Sequence, residues 1–197
     1  MEYISISNGN KKLKYIASFS LPPVESCLFH KYCAEKCYAR KAYRAYPNTK
    51  NAYDRNFRIV RENPGEFKKQ MVEFLRSYAR TYFRIHVSGD YYSQAYLNLW
   101  KEIARLFPNI RFMSFTKCYS FDYSGMPDNM EVIFSTFDNM PKGTSNRIRK
   151  KYNKPIAHAG ESNPDKAYYN DCVDDCSQCK ICWHLSEENR GVFFHYH

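Results

Sequence analysis

Long apolar runs are absent from this sequence, and so are repeats and low-complexity tracts. No run approaches the roughly 20 apolar residues that a membrane helix needs. The N-terminal stretch MEYISISNGNKKLKY has no apolar segment of the kind found in secretory signals. Only 7 of the 197 residues are glycine, which together with the absence of biased tracts argues against disorder. We therefore expect a compact cytoplasmic protein with no membrane contact.

Acidic residues are outnumbered in this chain. The 30 Lys and Arg residues exceed the 20 Asp and Glu residues, which gives a formal net charge of +10. The segment from Tyr38 to Tyr46 alternates aromatic and basic residues, a pattern that commonly holds single-stranded nucleic acid. Arg147–Lys151 is a second basic run. A nucleic acid bound through a basic face is therefore one expected partner, and a well-solvated surface is the alternative.

The pattern of apolar residues predicts strands that alternate with helices. Such alternation indicates an α/β fold with a parallel sheet, either an incomplete (β/α) barrel or an open sheet. We expect residues 1–160 to form the core and residues 161–197 to be a cysteine-rich extension packed on it. The predicted strands cover 14–19, 82–90, 110–117, 131–138, 154–160 and 191–197, and the predicted helices 49–62, 64–80, 93–107 and 144–152, with a helical turn before Pro47.

Seven of the eight cysteines fall into two groups, one near each end of the chain. Without a secretory signal, close spacing favours metal ligation over disulfides. The N-terminal cysteine group is Cys27, Cys33 and Cys37. Its three thiolates would hold three corners of a four-iron cluster, and a zinc site completed by His30 or Cys118 is the alternative.

The C-terminal cysteine group consists of four cysteines within eleven residues: Cys172, Cys176, Cys179 and Cys182. Its spacing is similar to that of bacterial ferredoxins, and it favours a second four-iron cluster over zinc. Asp171, Asp174 and Asp175 lie among these cysteines and would repel an anionic cluster. Cys118 stands alone and is expected to be a small buried residue or an additional ligand.

Several segments resemble the gene product 88 family of phages and mobile elements, from about residue 8 to residue 160. They are SLPPVESC, CAEKCYARKAYRAYPN, the stretch from Arg84 to Lys117, and EVIFSTFD, with the Cys-x3-Cys-Tyr-Ala element and the Val-Ser-Gly-Asp strand end as the most specific parts.

The layout also distantly resembles the radical S-adenosylmethionine (radical SAM) enzymes, although the x5-x3 spacing of the first cysteines departs from the x3-x2 spacing of that superfamily. The resemblance implies two [4Fe-4S] clusters, the second of them auxiliary, and SAM bound at strand ends. The expected SAM-binding residues are Ser88, Gly89, Asp90, Thr116, Lys117, Ser135 and Asp138.

These observations lead to two hypotheses about function. In the first, the chain is a radical-SAM-like redox enzyme that acts on a nucleic acid or nucleotide-type substrate and receives electrons from a donor protein. In the second, it is a non-catalytic iron–sulfur or zinc protein that binds nucleic acid.

Overall fold

An eight-stranded sheet forms the centre of the computed structural model, which describes residues 2–196. In chain order the strands are β1 (Ile6–Ser7), β2 (Ala17–Phe19), β3 (Tyr82–Ile85), β4 (Arg111–Thr116), β5 (Met130–Phe137), β6 (Ile156–Gly160), β7 (Tyr169–Asp171) and β8 (Gly191–His195).

Helices fill most of the connections between these strands. They are α1 (Tyr38–Ala45), α2 (Pro47–Glu62), α3 (Pro64–Ser77), α4 (Gln94–Leu106), α5 (Thr144–Tyr152), α6 (Cys176–Cys179) and α7 (Leu185–Glu188), with a 3-10 turn at Ile181–Trp183. Local sequence explains several helix starts. Proline occupies the first position of α2 and of α3, where its missing N–H costs nothing. Asn63 caps α3 and Ser93 caps α4, each by accepting a backbone N–H with its side chain.

The strands lie in the order β1-β2-β3-β4-β5-β6-β8-β7, and β1 and β7 form the edges. Only β1 is antiparallel to its neighbour among the described strands. The predicted α/β class with a mostly parallel sheet is therefore confirmed. The C-terminal segment contributes β7 and β8 to this same sheet, with β8 between β6 and β7.

Several predicted boundaries were wrong. The strand predicted over 14–19 begins only at Ala17. The strand predicted over 82–90 ends at Ile85, because His86 adopts a left-handed backbone conformation with φ of 61° and turns the chain out of the sheet. The helix predicted over 64–80 ends at Ser77, since Tyr78 is extended and its hydroxyl donates to the carbonyl of Tyr82. The short strands β1 and β7 were not predicted. The strand predicted over 191–197 ends at His195, and residue 197 lies outside the described residues.

The sheet buries different partners on its two faces. One face packs against α2, α3 and α4 in a core rich in aromatic residues, centred on Phe19, Phe83 and Trp100. The opposite face, called here the cysteine face, packs against the C-terminal segment through Met113, Ile133, Trp183 and other apolar residues. Within residues 2–196, none of the helices combines the length and hydropathy required of a membrane span.

Candidate cysteine centre

The N-terminal cysteine group lies on the loop that follows β2, the first strand of the parallel part of the sheet. Turns fold this loop back on itself: the N–H of Cys27 donates to the carbonyl of Val24, and the N–H of Cys33 donates to that of His30. The ring Nδ1 of His30 lies 2.7 Å from the carbonyl of Cys27, so this imidazole is engaged within the loop. Cys37 immediately precedes α1. The loop thus places three free thiols at the carboxyl edge of the sheet.

Backbone strain accompanies this loop. Val24 has φ of 72°, a left-handed conformation that a β-branched residue rarely adopts. Such strain costs of order 1–3 kcal/mol and persists only where the surrounding structure enforces it. Strained residues of this kind concentrate at functional sites, which marks the loop as a candidate site.

A buried ion pair lies beside the first two cysteines. Lys117 Nζ is 3.3 Å from Asp90 Oδ2, and the Asp90 side chain is fully buried. Asp90 Oδ2 also accepts the backbone N–H of Lys117 at 3.0 Å, and its Oδ1 accepts the N–H of Tyr91 at 2.8 Å. Burial disfavours the charged form of Lys117, but the carboxylate of Asp90 outweighs it and raises the pKa of the ammonium group. Lys117 is therefore a fixed cation next to the N-terminal cysteine group.

The thiols of Cys27 and Cys33 are held in their neutral form. Burial raises the pKa of the Cys27 thiol to about 11, and the charge of Lys117 only partly opposes this. Burial likewise raises the pKa of Cys33. A metal must displace these protons in order to bind, so metal loading would release protons and would be favoured at higher pH.

The C-terminal cysteine group occupies the connection from β7 to β8. The N–H of Cys172 donates to Phe193, and the N–H of Cys176 donates to Lys12 in the loop between β1 and β2. Cys172, Cys176 and Cys182 pack against the apolar residues of the cysteine face, whereas Cys179 is exposed. Burial raises the pKa of Cys172 to about 11 and that of Cys182 further. Three of the four free thiols therefore pack on the sheet face opposite the main helices, and the fourth faces solvent.

Two lysines from the N-terminal part of the chain neutralise the acids of this segment. Lys12 Nζ lies 2.5 Å from Asp174, and Lys14 Nζ lies 2.8 Å from Asp175. Asp171 accepts a hydrogen bond from Asn163 at 2.8 Å. The acidic residues that the sequence placed among the cysteines are therefore engaged with partners, and their repulsion toward an anionic group is offset.

The first of the expected SAM-binding segments packs tightly against the N-terminal cysteine loop. A Cβ on Gly89 would come within 2.5 Å of Ser26 Oγ, and the φ of Gly89 is 87°, so only glycine fits here. Ser88 is buried, and its hydroxyl has no hydrogen-bond partner within residues 2–196. The structure brings Ser88, Gly89 and Asp90 close to the cysteines, but both oxygens of Asp90 already have partners.

The later strand ends are similarly engaged. Thr116 is fully buried, and its hydroxyl accepts the N–H of Cys118 at 3.0 Å. Asp138 accepts from His158 Nε2 at 2.8 Å and from the N–H of Glu161 at 2.7 Å. Ser135 is half-buried on β5, and its carbonyl accepts the Tyr119 hydroxyl. These three predicted residues therefore have contacts within the protein that position strand ends.

Cys118 is a residue of the core. It is fully buried, and its thiol donates to the carbonyl of Tyr91 at 3.0 Å. The sequence predicts either a small buried residue or an additional ligand here, and the surroundings of Cys118 are those of a small buried residue.

Arg84 was not singled out from the sequence, and the structure places it on the cysteine face. Its side chain is 9% exposed, and its guanidinium lies 4.3 Å from the ring centre of Phe115. A charged residue at an alternate position of the apolar run YFRIHV was the signal that could have identified it.

Across residues 2–196, no three His, Cys, Asp or Glu side chains are drawn together as ligands of one metal ion. The thiolates of a four-iron cluster each bind a different iron, so they stand farther apart than the ligands of a single ion.

Fold and thiols together define the chain as a cysteine-rich α/β protein with a mostly parallel sheet. The gene product 88 family matches residues 4–182, and the chain belongs to this family. It is 24% identical to the Gene 88 protein of Mycobacterium phage L5, over 91% of this chain and 88% of that relative. It is 25% identical to the Gene 88 protein of Mycobacterium phage D29, over 66% of this chain and 65% of that relative. No solved structure matches the chain significantly.

Proposed function

We propose that this protein is an iron–sulfur redox protein that holds one four-iron cluster in each cysteine group. The observation that carries the proposal is the placement of the N-terminal cysteine group on the loop after the first parallel strand. In parallel α/β folds, chemistry gathers at the carboxyl ends of the strands. The free state of all three thiols and the strained backbone at Val24 support a functional role for this loop.

The donor chemistry of both groups fits iron–sulfur clusters. Cysteine thiolates are the usual ligands of such clusters, and a loop with three of them leaves one iron open for a substrate or cofactor. Lys117 supplies a fixed positive charge beside Cys27 and Cys33, and Lys12 and Lys14 neutralise the acids of the C-terminal segment. When bound, the clusters would supply one-electron chemistry, and the chain would orient, charge-balance and shield them.

A closer relation to radical SAM enzymes is the more specific form of this proposal. It is supported by the order of β2, β3, β4, β5 and β6, which follow one another in the sheet as they do in the chain. Of the residues expected to hold SAM, Asp90, Thr116 and Asp138 have polar atoms that are engaged in contacts within the protein. The hydroxyl of Ser88, by contrast, has no hydrogen-bond partner within residues 2–196.

Anaerobic reconstitution with iron and sulfide tests the cluster proposal directly. We expect about eight irons per chain, a brown protein, and about half the iron after the N-terminal cysteines are all changed to alanine. The matched control is Cys118→Ala, which removes a buried thiol outside both groups and should leave the iron content unchanged. Stoichiometric zinc in a colourless protein, or equal iron in all three proteins, would contradict the proposal.

A second candidate function is the binding of nucleic acid without catalysis, and one observation favours it. Residues 139–160 contain six Lys and Arg residues and no Asp or Glu, and α5 carries most of them. A surface of this kind attracts phosphates through counterion release. Changing Lys150 and Lys151 to glutamine should weaken binding to a single-stranded oligonucleotide and reduce its salt dependence, with Lys68→Gln on α3 as control. Equal binding and equal salt dependence in all three proteins would exclude this surface.

A further inference from the structure

Arg84 is a buried cation without an acidic partner. Its Nε donates to the carbonyl of His86 at 3.1 Å, and this is the only hydrogen bond of its guanidinium within the part of the chain that the structure describes. No carboxylate among the same residues forms an ion pair with it. Buried charges are normally paired, because removal from water without compensation is costly. An uncompensated guanidinium on the cysteine face therefore points to an anion that this face receives.

The position of Arg84 identifies where that anion lies. The residue pairs with Ser18 of β2 and Met113 of β4, so it occupies the interior of the sheet rather than an edge. Its guanidinium lies over Phe115, and Phe115 belongs to the same apolar cluster as Cys176 and Cys182. The C-terminal cysteine group thus covers the part of the sheet from which Arg84 projects.

A hydrogen bond agrees with this placement. Trp183 Nε1, on the turn that also carries Cys182, donates to the carbonyl of Phe83 at 3.3 Å. Arg84 is the next residue along β3, so the turn that carries Cys182 contacts the strand beside it.

We propose that Arg84 is the counter-charge of the cluster held by the C-terminal cysteines and that it raises the reduction potential of this cluster. The inference rests on the proposed function. A cluster with four thiolates is anionic and gains a further negative charge on reduction, so a fixed cation beside it stabilises the reduced state. Because the site is shielded from water, the charge acts more strongly than it would at the surface.

The experiment compares Arg84→Met and Arg84→Lys in a chain whose Cys27, Cys33 and Cys37 are alanine, so that only the C-terminal cluster reports. The readout is the midpoint potential from a redox titration followed by electron paramagnetic resonance. We expect Arg84→Met to shift the midpoint to lower potential and Arg84→Lys to restore most of it. Arg61→Met is the control, since Arg61 also stacks on a phenylalanine but lies on α2, which packs on the sheet face opposite the C-terminal cysteines.

Metal-free protein provides a second readout that separates this role from a structural one. Without the cluster, Arg84 is a buried charge that has one hydrogen bond and no acidic partner, so Arg84→Met should leave the urea midpoint unchanged or raise it. An unchanged potential in Arg84→Met would overturn the proposal, as would a lower urea midpoint that Arg84→Lys does not restore. Phosphate provides one more test. If it raises the urea midpoint of the metal-free protein only when Arg84 is present, and Arg84→Met does not change the midpoint potential, Arg84 binds a soluble anion and the proposal is again overturned. If the parent chain takes up no cluster at all, the proposed function fails first, and this inference fails with it.

Discussion

Asp90→Asn should destabilise the metal-free protein by about 3–5 kcal/mol, the usual cost of removing one member of a buried ion pair. The Asp90 side chain is fully buried and holds the N–H of Tyr91, the N–H of Lys117 and the ammonium of Lys117. Asparagine keeps the volume but removes the charge and places an amide N–H₂ near these donors. Lys117 would then remain as a buried cation beside protonated thiols. Urea unfolding followed by circular dichroism measures the loss, and the m-value should not change.

A double-mutant cycle tests the cause of this loss. In Asp90→Asn with Lys117→Met, the stranded cation is gone, so the double variant should be more stable than Asp90→Asn alone. Glu102→Gln removes one member of the exposed pair with Lys68 and should cost less than about 1 kcal/mol. A loss below about 1 kcal/mol for Asp90→Asn would refute the structural role and return Asp90 to the ligand-binding residues expected from the sequence.

Three further perturbations follow from the structure. Burial lowers the pKa of His86 to about 3 from an unfolded value of 6.5, so the folded state excludes the proton. The free energy of unfolding should therefore fall by about 1.4 kcal/mol per pH unit as the pH drops from 6.5 toward 3. In urea titrations at each pH, His86→Asn should flatten this slope. In thermal melts, Gly89→Ala should destabilise the protein more than Gly125→Ala does. Both glycines have positive φ, but only at Gly89 does the new Cβ meet Ser26. Equal losses of stability in the two variants would contradict this close approach. Asn56→Ala leaves three backbone groups without their amide partner and should cost about 1–3 kcal/mol in urea unfolding, which a loss near zero would contradict.

Local sequence was sufficient to predict most of the sheet. Strands such as β4 and β5 have alternating or continuous apolar residues. Pro64 and Ser93 mark the starts of α3 and α4. The edge strands were missed because β1 has two residues and β7 three, too few to establish a period. Their existence depends on pairing with distant residues, which local patterns do not encode.

The candidate site was predicted in part for a similar reason. Cysteine spacing identifies thiols without reference to the fold, so both cysteine groups were found. The partners of Asp90 and Asp138 could not be read from the sequence, because Lys117 and His158 come from neighbouring strands. Arg84 was overlooked because two features single it out: its burial on the cysteine face and the lack of a carboxylate partner. Both depend on residues from other parts of the chain, so the sequence of one strand does not show them.

The position of β8 sets an order of assembly. Among the described strands, β7 pairs only with β8, and β8 follows it in the chain after the C-terminal cysteine group. During synthesis, β7 has no neighbouring strand, and the N–H of Cys172 has no partner, until β8 has emerged and joined β6. The N-terminal thiols depend on β2 and β3, which are made much earlier. Metal delivery during translation would therefore reach the N-terminal loop first, and the C-terminal thiols would become a formed site only after the last strand is in place.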